Sequence, residues 1–139
     1  MFKNINLQFF ISYLGLCPYL IIIIDKFLLH QIDINILKNF SVFYSIIILV
    51  FIGSINWNLK EQISKKLVFF GFFPSFFSVI IIIIHLYSFD VFVLLIAYFL
   101  LHLILDYFVV YKKEINKKAY YGVRLPLTVL IVFSLIIIQ

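Results

Sequence analysis

Five long apolar runs, separated by short polar stretches, constrain this chain more than any other feature. Crossing about 30 Å of hydrocarbon at 1.5 Å per residue takes roughly 20 residues. Runs of that length fall at approximately residues 8–27, 40–59, 67–87, 90–111 and 119–138. Composition agrees: 65% hydrophobic and 12% charged residues are more apolar matter than a soluble domain of 139 residues can bury. A strand alternates its faces, whereas Ile80 to Ile84 are five isoleucines in a row, which leaves no polar face for the lumen of a barrel. The fold class that follows is an all-α membrane protein, a bundle of five transmembrane helices forming one multipass domain over residues 1–139.

The first run is followed by Asp25-Lys26 instead of a small-residue cleavage motif, and it has the length of a full span, so it is expected to be retained. Cys17 has no second sulfur to pair with and is expected to be a small packing residue. Orientation follows from lysine and arginine. Lys3, Lys60, Lys65, Lys66, Lys112, Lys113, Lys117, Lys118 and Arg124 fall on one side, and Lys26 and Lys38 on the other. Positive loops are held on the cytoplasmic or matrix side, so nine against two places the N-terminus inside and the C-terminus outside. The net charge of +5 is then a topology signal with an attraction to anionic headgroups, and nucleic acid is not an expected partner.

Each proline follows a glycine closely: Gly15 and Pro18, Gly71 and Pro74, Gly122 and Pro126. A proline removes a backbone donor and presses on the carbonyl four residues earlier, so each pair predicts a kink whose freed carbonyl should face another helix. At Gly122 a full break is expected, with the last membrane helix beginning near Val123. The stretches YLGLCPYLIIII and FFGFFPSFFSVIIII also resemble each other, as a weak two-hairpin repeat would.

Polar residues within the spans mark the candidate site. His102 and Asp106 are four residues apart on the fourth helix and share a face, a candidate intramembrane relay. Asn56 and Trp57 close the second helix, where Trp57 suits an interfacial anchor. Arg124 is the one arginine beside ten lysines, which points to a use for its planar fork. Topology brings Asn56, Trp57, Asp106, Tyr121 and Arg124 to one end of the bundle as a candidate polar cluster. In it Arg124 pairs with Asp106 while Asn56 or Tyr121 takes the remaining hydrogen bonds. The competing arrangement sends Arg124 to lipid phosphate and Asp106 to Lys112 or Lys113.

Several of these stretches, YLGLCPYL, YSIIILVFIGSINWNL, FFGFFPSFFS and YYGVRLPLTVLIVFSL, taken in order, resemble the family called domain of unknown function 3429, which includes the transmembrane protein 69-like proteins. The likeness runs from about Ile11 to Leu135. Asn56 stands where the family has histidine, and Tyr120 where it has tryptophan. The resemblance implies a small multipass protein of the bacterial plasma membrane or the mitochondrial inner membrane, and it supplies no reaction.

Function divides into three classes. A structural, assembly or interaction subunit, partnered by the bilayer and by other membrane proteins or by itself, suits the small size and the lack of a catalytic motif. A haem or quinone module would rest on His102, His85 and Asp106, although His85 and His30 lie near one face while His102 is central. A proton or solute pathway would use the face of His102 and Asp106. The first class is favoured, with no cofactor, no metal and no catalytic residue expected.

Overall fold

The computed structural model describes residues 10–55, 65–110, 117 and 119–139, with the backbone alone for Ile55 and Lys66. Asn56 and Trp57 therefore lie outside the described residues. The described residues contain helices and no strands. The helices are α1 (Cys17–Ile24), α2 (Ile34–Ile55), α3 (Lys65–Leu86), α4 (Phe92–Val109) and α5 (Leu125–Ile138). Two π-helical turns, Asp25–Leu29 and Tyr120–Arg124, extend α1 and lead into α5. Five spans result, Phe10–Leu29, Ile34–Ser54, Leu67–Leu86, Phe92–Val109 and Tyr120–Ile138, each long and apolar enough to cross a membrane. This is the architecture of a multipass membrane protein.

Span boundaries depart from hydropathy where polar groups build helix. α2 begins at Ile34, earlier than the apolar run predicts, because Asp33 starts it: its carboxylate accepts the Asn35 N–H at 2.7 Å. The first turns carry Asn35, Lys38 and Asn39, which hydropathy counts as loop. Cys17, expected to be a small packing residue, is exposed.

The three prolines behave differently. At Gly15 and Leu16 the first span is interrupted by a turn, and Pro18 sits in the first turn of α1, where its missing N–H costs nothing. Pro74 lies inside α3, which runs through it. At Pro126 the expected break is absent, because the chain stays helical from Ala119 through Ile138 and the irregularity takes the form of a π turn. There the Leu125 N–H reaches back five residues to the Tyr120 carbonyl. The Gly122 carbonyl, which an α-helical Pro126 could not serve, accepts the Tyr13 hydroxyl at 2.9 Å. Similarly, the Gly15 carbonyl accepts the Tyr44 hydroxyl at 2.7 Å. Both irregular carbonyls thus face a neighbouring helix, as satisfaction of backbone groups in lipid requires.

Apolar side chains give little reason for helices to associate in lipid, so close packing and hydrogen bonds must do it. α2 contacts each of the other four helices. It meets α3 at Gly53, where an added Cβ would lie 2.5 Å from the Gly71 carbonyl oxygen and 3.1 Å from the Pro74 ring. Only glycine permits that approach. α2 meets α1 through the Ser45 and Tyr19 hydroxyls, 2.6 Å apart and buried. At the far end of the bundle Lys26 Nζ donates to the carbonyls of Ile137 and Ile138, at 2.7 and 3.1 Å, capping the last turn of α5. Beneath these ties lies a core that includes Ile22, Leu49, Ile81, Leu95, Phe99 and Leu135.

Candidate functional site

α4 and α5 come together around charge. Asp106 sits one turn before the end of α4 and is 2% exposed, while His102, one turn earlier on the same face, is 1% exposed. Arg124 closes the π turn that leads into α5, and Thr128 follows it by four residues, fully buried. The π turn positions these groups, since each added residue in a helical turn changes which side chain faces the neighbour. Tyr120 is buried in the same turn and donates its hydroxyl to the Leu103 carbonyl at 3.2 Å.

The guanidinium is divided among three partners. Nε donates to Asp106 Oδ2, Nη1 donates to Thr128 Oγ1 at 3.2 Å, and Nη2 lies 3.1 Å from His102 Nδ1. Thr128 in turn donates to the Arg124 carbonyl at 2.9 Å. Lysine offers one nitrogen and could not reach three acceptors around a plane. That geometry accounts for a lone arginine in a lysine-rich chain. Pairing also answers the cost of burial, because an unpaired charge at this depth is expensive and a neutralised, hydrogen-bonded pair is tolerated.

Imidazole chemistry follows from the neighbours. His102 Nδ1 stands 3.2 Å from Asp106 Oδ2 as well as 3.1 Å from the guanidinium. The guanidinium only donates, so each of its three nitrogens reaches an acceptor when Nδ1 carries a lone pair and the ring proton sits on Nε2. An imidazolium would instead put a second positive charge against Arg124. With the ring proton on Nε2, His102 has a donor there. That atom is buried and has no hydrogen-bond partner, and the same holds for the Tyr98 hydroxyl one turn earlier on α4.

Of the residues singled out by sequence, the structure brings together His102, Asp106 and Arg124 and leaves others aside. Tyr121 is 57% exposed and sets its ring edge-on to Tyr120, outside the cluster. Its expected part is taken by Thr128, which the same four-residue spacing from Arg124 could have flagged. Asn56 and Trp57 lie outside the described residues. His85 packs edge-on to Phe43 at the other end of the bundle. It lines a hollow of about 580 Å³ with Asn35, Lys38, Asn39, Ser88 and Asp90. Among the described residues, no group of three or more His, Cys, Asp or Glu side chains is placed to hold a metal ion.

Asp25 went unnoticed in the sequence except as a flank. It is 3% exposed, and its carboxylate accepts the backbone N–H groups of Gln31 and Ile32 at 3.4 and 3.1 Å. His30, left-handed at φ 51°, turns the chain to make this possible, and its own N–H bonds the Asp25 carbonyl at 2.8 Å. No sequence signal separates such a carboxylate from an exposed one.

No curated protein and no solved structure matches this chain significantly. A family model does match, over residues 6–139, and takes in every element of the cluster. As the resemblance of its glycine, proline and arginine stretches implied, the chain belongs to the family described as Protein of unknown function (DUF3429).

Proposed function

We propose that this protein is a non-enzymatic interaction subunit, packing against other membrane proteins in a bacterial plasma membrane or a mitochondrial inner membrane. The observation that carries the reading is the outward face of α3. Phe69, Phe72, Phe73 and Phe76 are 49–66% exposed. Of these, Phe72, Phe73 and Phe76 are laddered with Phe77 at ring separations of 6.1 and 6.2 Å. Rigid stacked rings give large contact areas at low entropic cost, and in lipid such packing is what drives helix association. The charged cluster supports the same reading from the other side. Its guanidinium is consumed in tying α4 to α5, which suits a structural clasp more than a relay, since a relay through His102 would need an imidazolium 3.1 Å from Arg124.

Purification of the tagged protein at native level in mild detergent tests this. A stoichiometric set of membrane proteins that is lost on Phe72→Ala/Phe76→Ala substitution supports the role, and a protein recovered alone defeats it. In the same reading the lysine-rich end faces the cytoplasm or matrix, on the strength of nine basic residues against two. A reporter fused after Gln139 should then report the periplasm or intermembrane space, and one at Ile115 the opposite side.

A further inference from the structure

Tyr98 and His102 leave two donors in the hydrocarbon with nothing to donate to, the Tyr98 hydroxyl and His102 Nε2. They lie on one face of α4, with ring centroids 6.0 Å apart. Unserved polar groups at such depth are rare and costly, and they call for an acceptor. We propose that Tyr98 and His102 form a binding site for the ring carbonyl of a neutral, membrane-dissolved molecule of the quinone class. It would reach them along the phenylalanine-lined groove between α3 and α4.

Four features define that class. One carbonyl oxygen has two lone pairs and can accept from both donors at once. The molecule is neutral, because Arg124 and Asp106 already balance each other and an added anion would be uncompensated in lipid. It is flat, because aromatic rings flank the donors: Phe70 lies 4.9 Å from His102 at an interplanar angle of 30°, and Phe77 lies 5.0 Å from Tyr98 at 32°. It is deep. His102 is about 15 Å along α4 from Phe92 and about 10 Å from Val109, and side chains lean toward the helix start, so the donors sit near mid-membrane, below the ester carbonyls of phospholipids. The route in is a groove of about 770 Å³ lined by Lys65, Leu67, Phe69, Phe70, Phe73, Phe108 and Val109, apolar but for the lysine, as an isoprenoid tail needs. Phe70 lines this groove and also packs on the His102 ring, so it stands between the two. Binding alone is proposed, with no electron transfer, and it does not depend on the subunit role.

The test uses the purified full chain in detergent and a short-chain benzoquinone labelled with ¹³C at its carbonyls. Infrared difference spectra should show one saturable equivalent whose carbonyl band moves to lower frequency. Tyr98→Phe removes one donor and keeps the ring, so it should weaken binding roughly fivefold to tenfold and return part of the band shift. No saturable uptake, uptake with an unshifted band, mole-for-mole displacement by phospholipid, or Tyr98→Phe binding as tightly as the parent would each overturn the proposal.

Discussion

Removing Arg124 should strand the most deeply buried charge in the cluster. The Asp106 carboxylate is 3% exposed, and its ionic partner is the guanidinium. Breaking such a pair from one side costs about 3–5 kcal/mol, because the survivor keeps its desolvation penalty and loses its compensation. Arg124→Ala and Asp106→Ala should therefore each destabilise the fold by about that amount. The double variant removes both charges and should cost about the same as either single change, giving a coupling energy on the order of 3 kcal/mol. Arg124→Lys is a finer probe. It keeps the charge near Asp106 but leaves Thr128 Oγ1 and His102 Nδ1 without their donors, which at about 1–2 kcal/mol for each buried group amounts to roughly 2–4 kcal/mol. Reversible unfolding in mixed micelles, followed by circular dichroism, gives all four free energies. Additive losses in the double variant, or an Arg124→Lys protein as stable as the parent, would refute a shared ionic clasp.

Other predictions follow from single contacts. Gly53→Leu should lower stability by at least about 2 kcal/mol, since even the first carbon would meet the Gly71 carbonyl at 2.5 Å; a thermal melt in detergent that matches the parent would contradict it. Tyr13→Phe leaves the Gly122 carbonyl without its donor and should cost about 1–2 kcal/mol, with faster amide exchange in the π turn than in the parent. Lys26→Met keeps the aliphatic stem but uncaps α5, so exchange should rise at its last turn and remain unchanged in α3.

Span number was legible because crossing hydrocarbon takes long apolar runs, and the Arg124–Asp106 pairing because lipid punishes an unpaired charge. An aspartate inside an apolar run must find a cation, and the two helices holding Asp106 and Arg124 are antiparallel neighbours in sequence. The hydroxyls were not legible. With nine tyrosines in the chain, composition cannot distinguish Tyr13, Tyr19 and Tyr44, which bind other helices, from the exposed Tyr87. Nor could it foresee that Asp25 is served by backbone, because those N–H groups come from a turn that His30 makes in an unusual conformation. The π turn escaped for a related reason. A proline near a glycine announces irregularity, but whether the chain breaks or merely gains a residue depends on whether a neighbour can take the leftover carbonyl, and that neighbour, Tyr13, is 109 residues away.

That separation matters for biogenesis. Tyr13 and Lys26, both in the first span, bond carbonyls at the two ends of the last one, across 109 to 112 residues of chain. At 5–20 residues per second, a ribosome delivers the second set of groups roughly 5 to 20 s after the first. Through that interval the first helix sits in the bilayer with a lysine that has no cap to serve, and later the fourth holds Asp106 before its arginine has emerged. The two polar groups are therefore served in turn, Asp106 when Arg124 arrives and Lys26 only when the Ile137 and Ile138 carbonyls close the last helix.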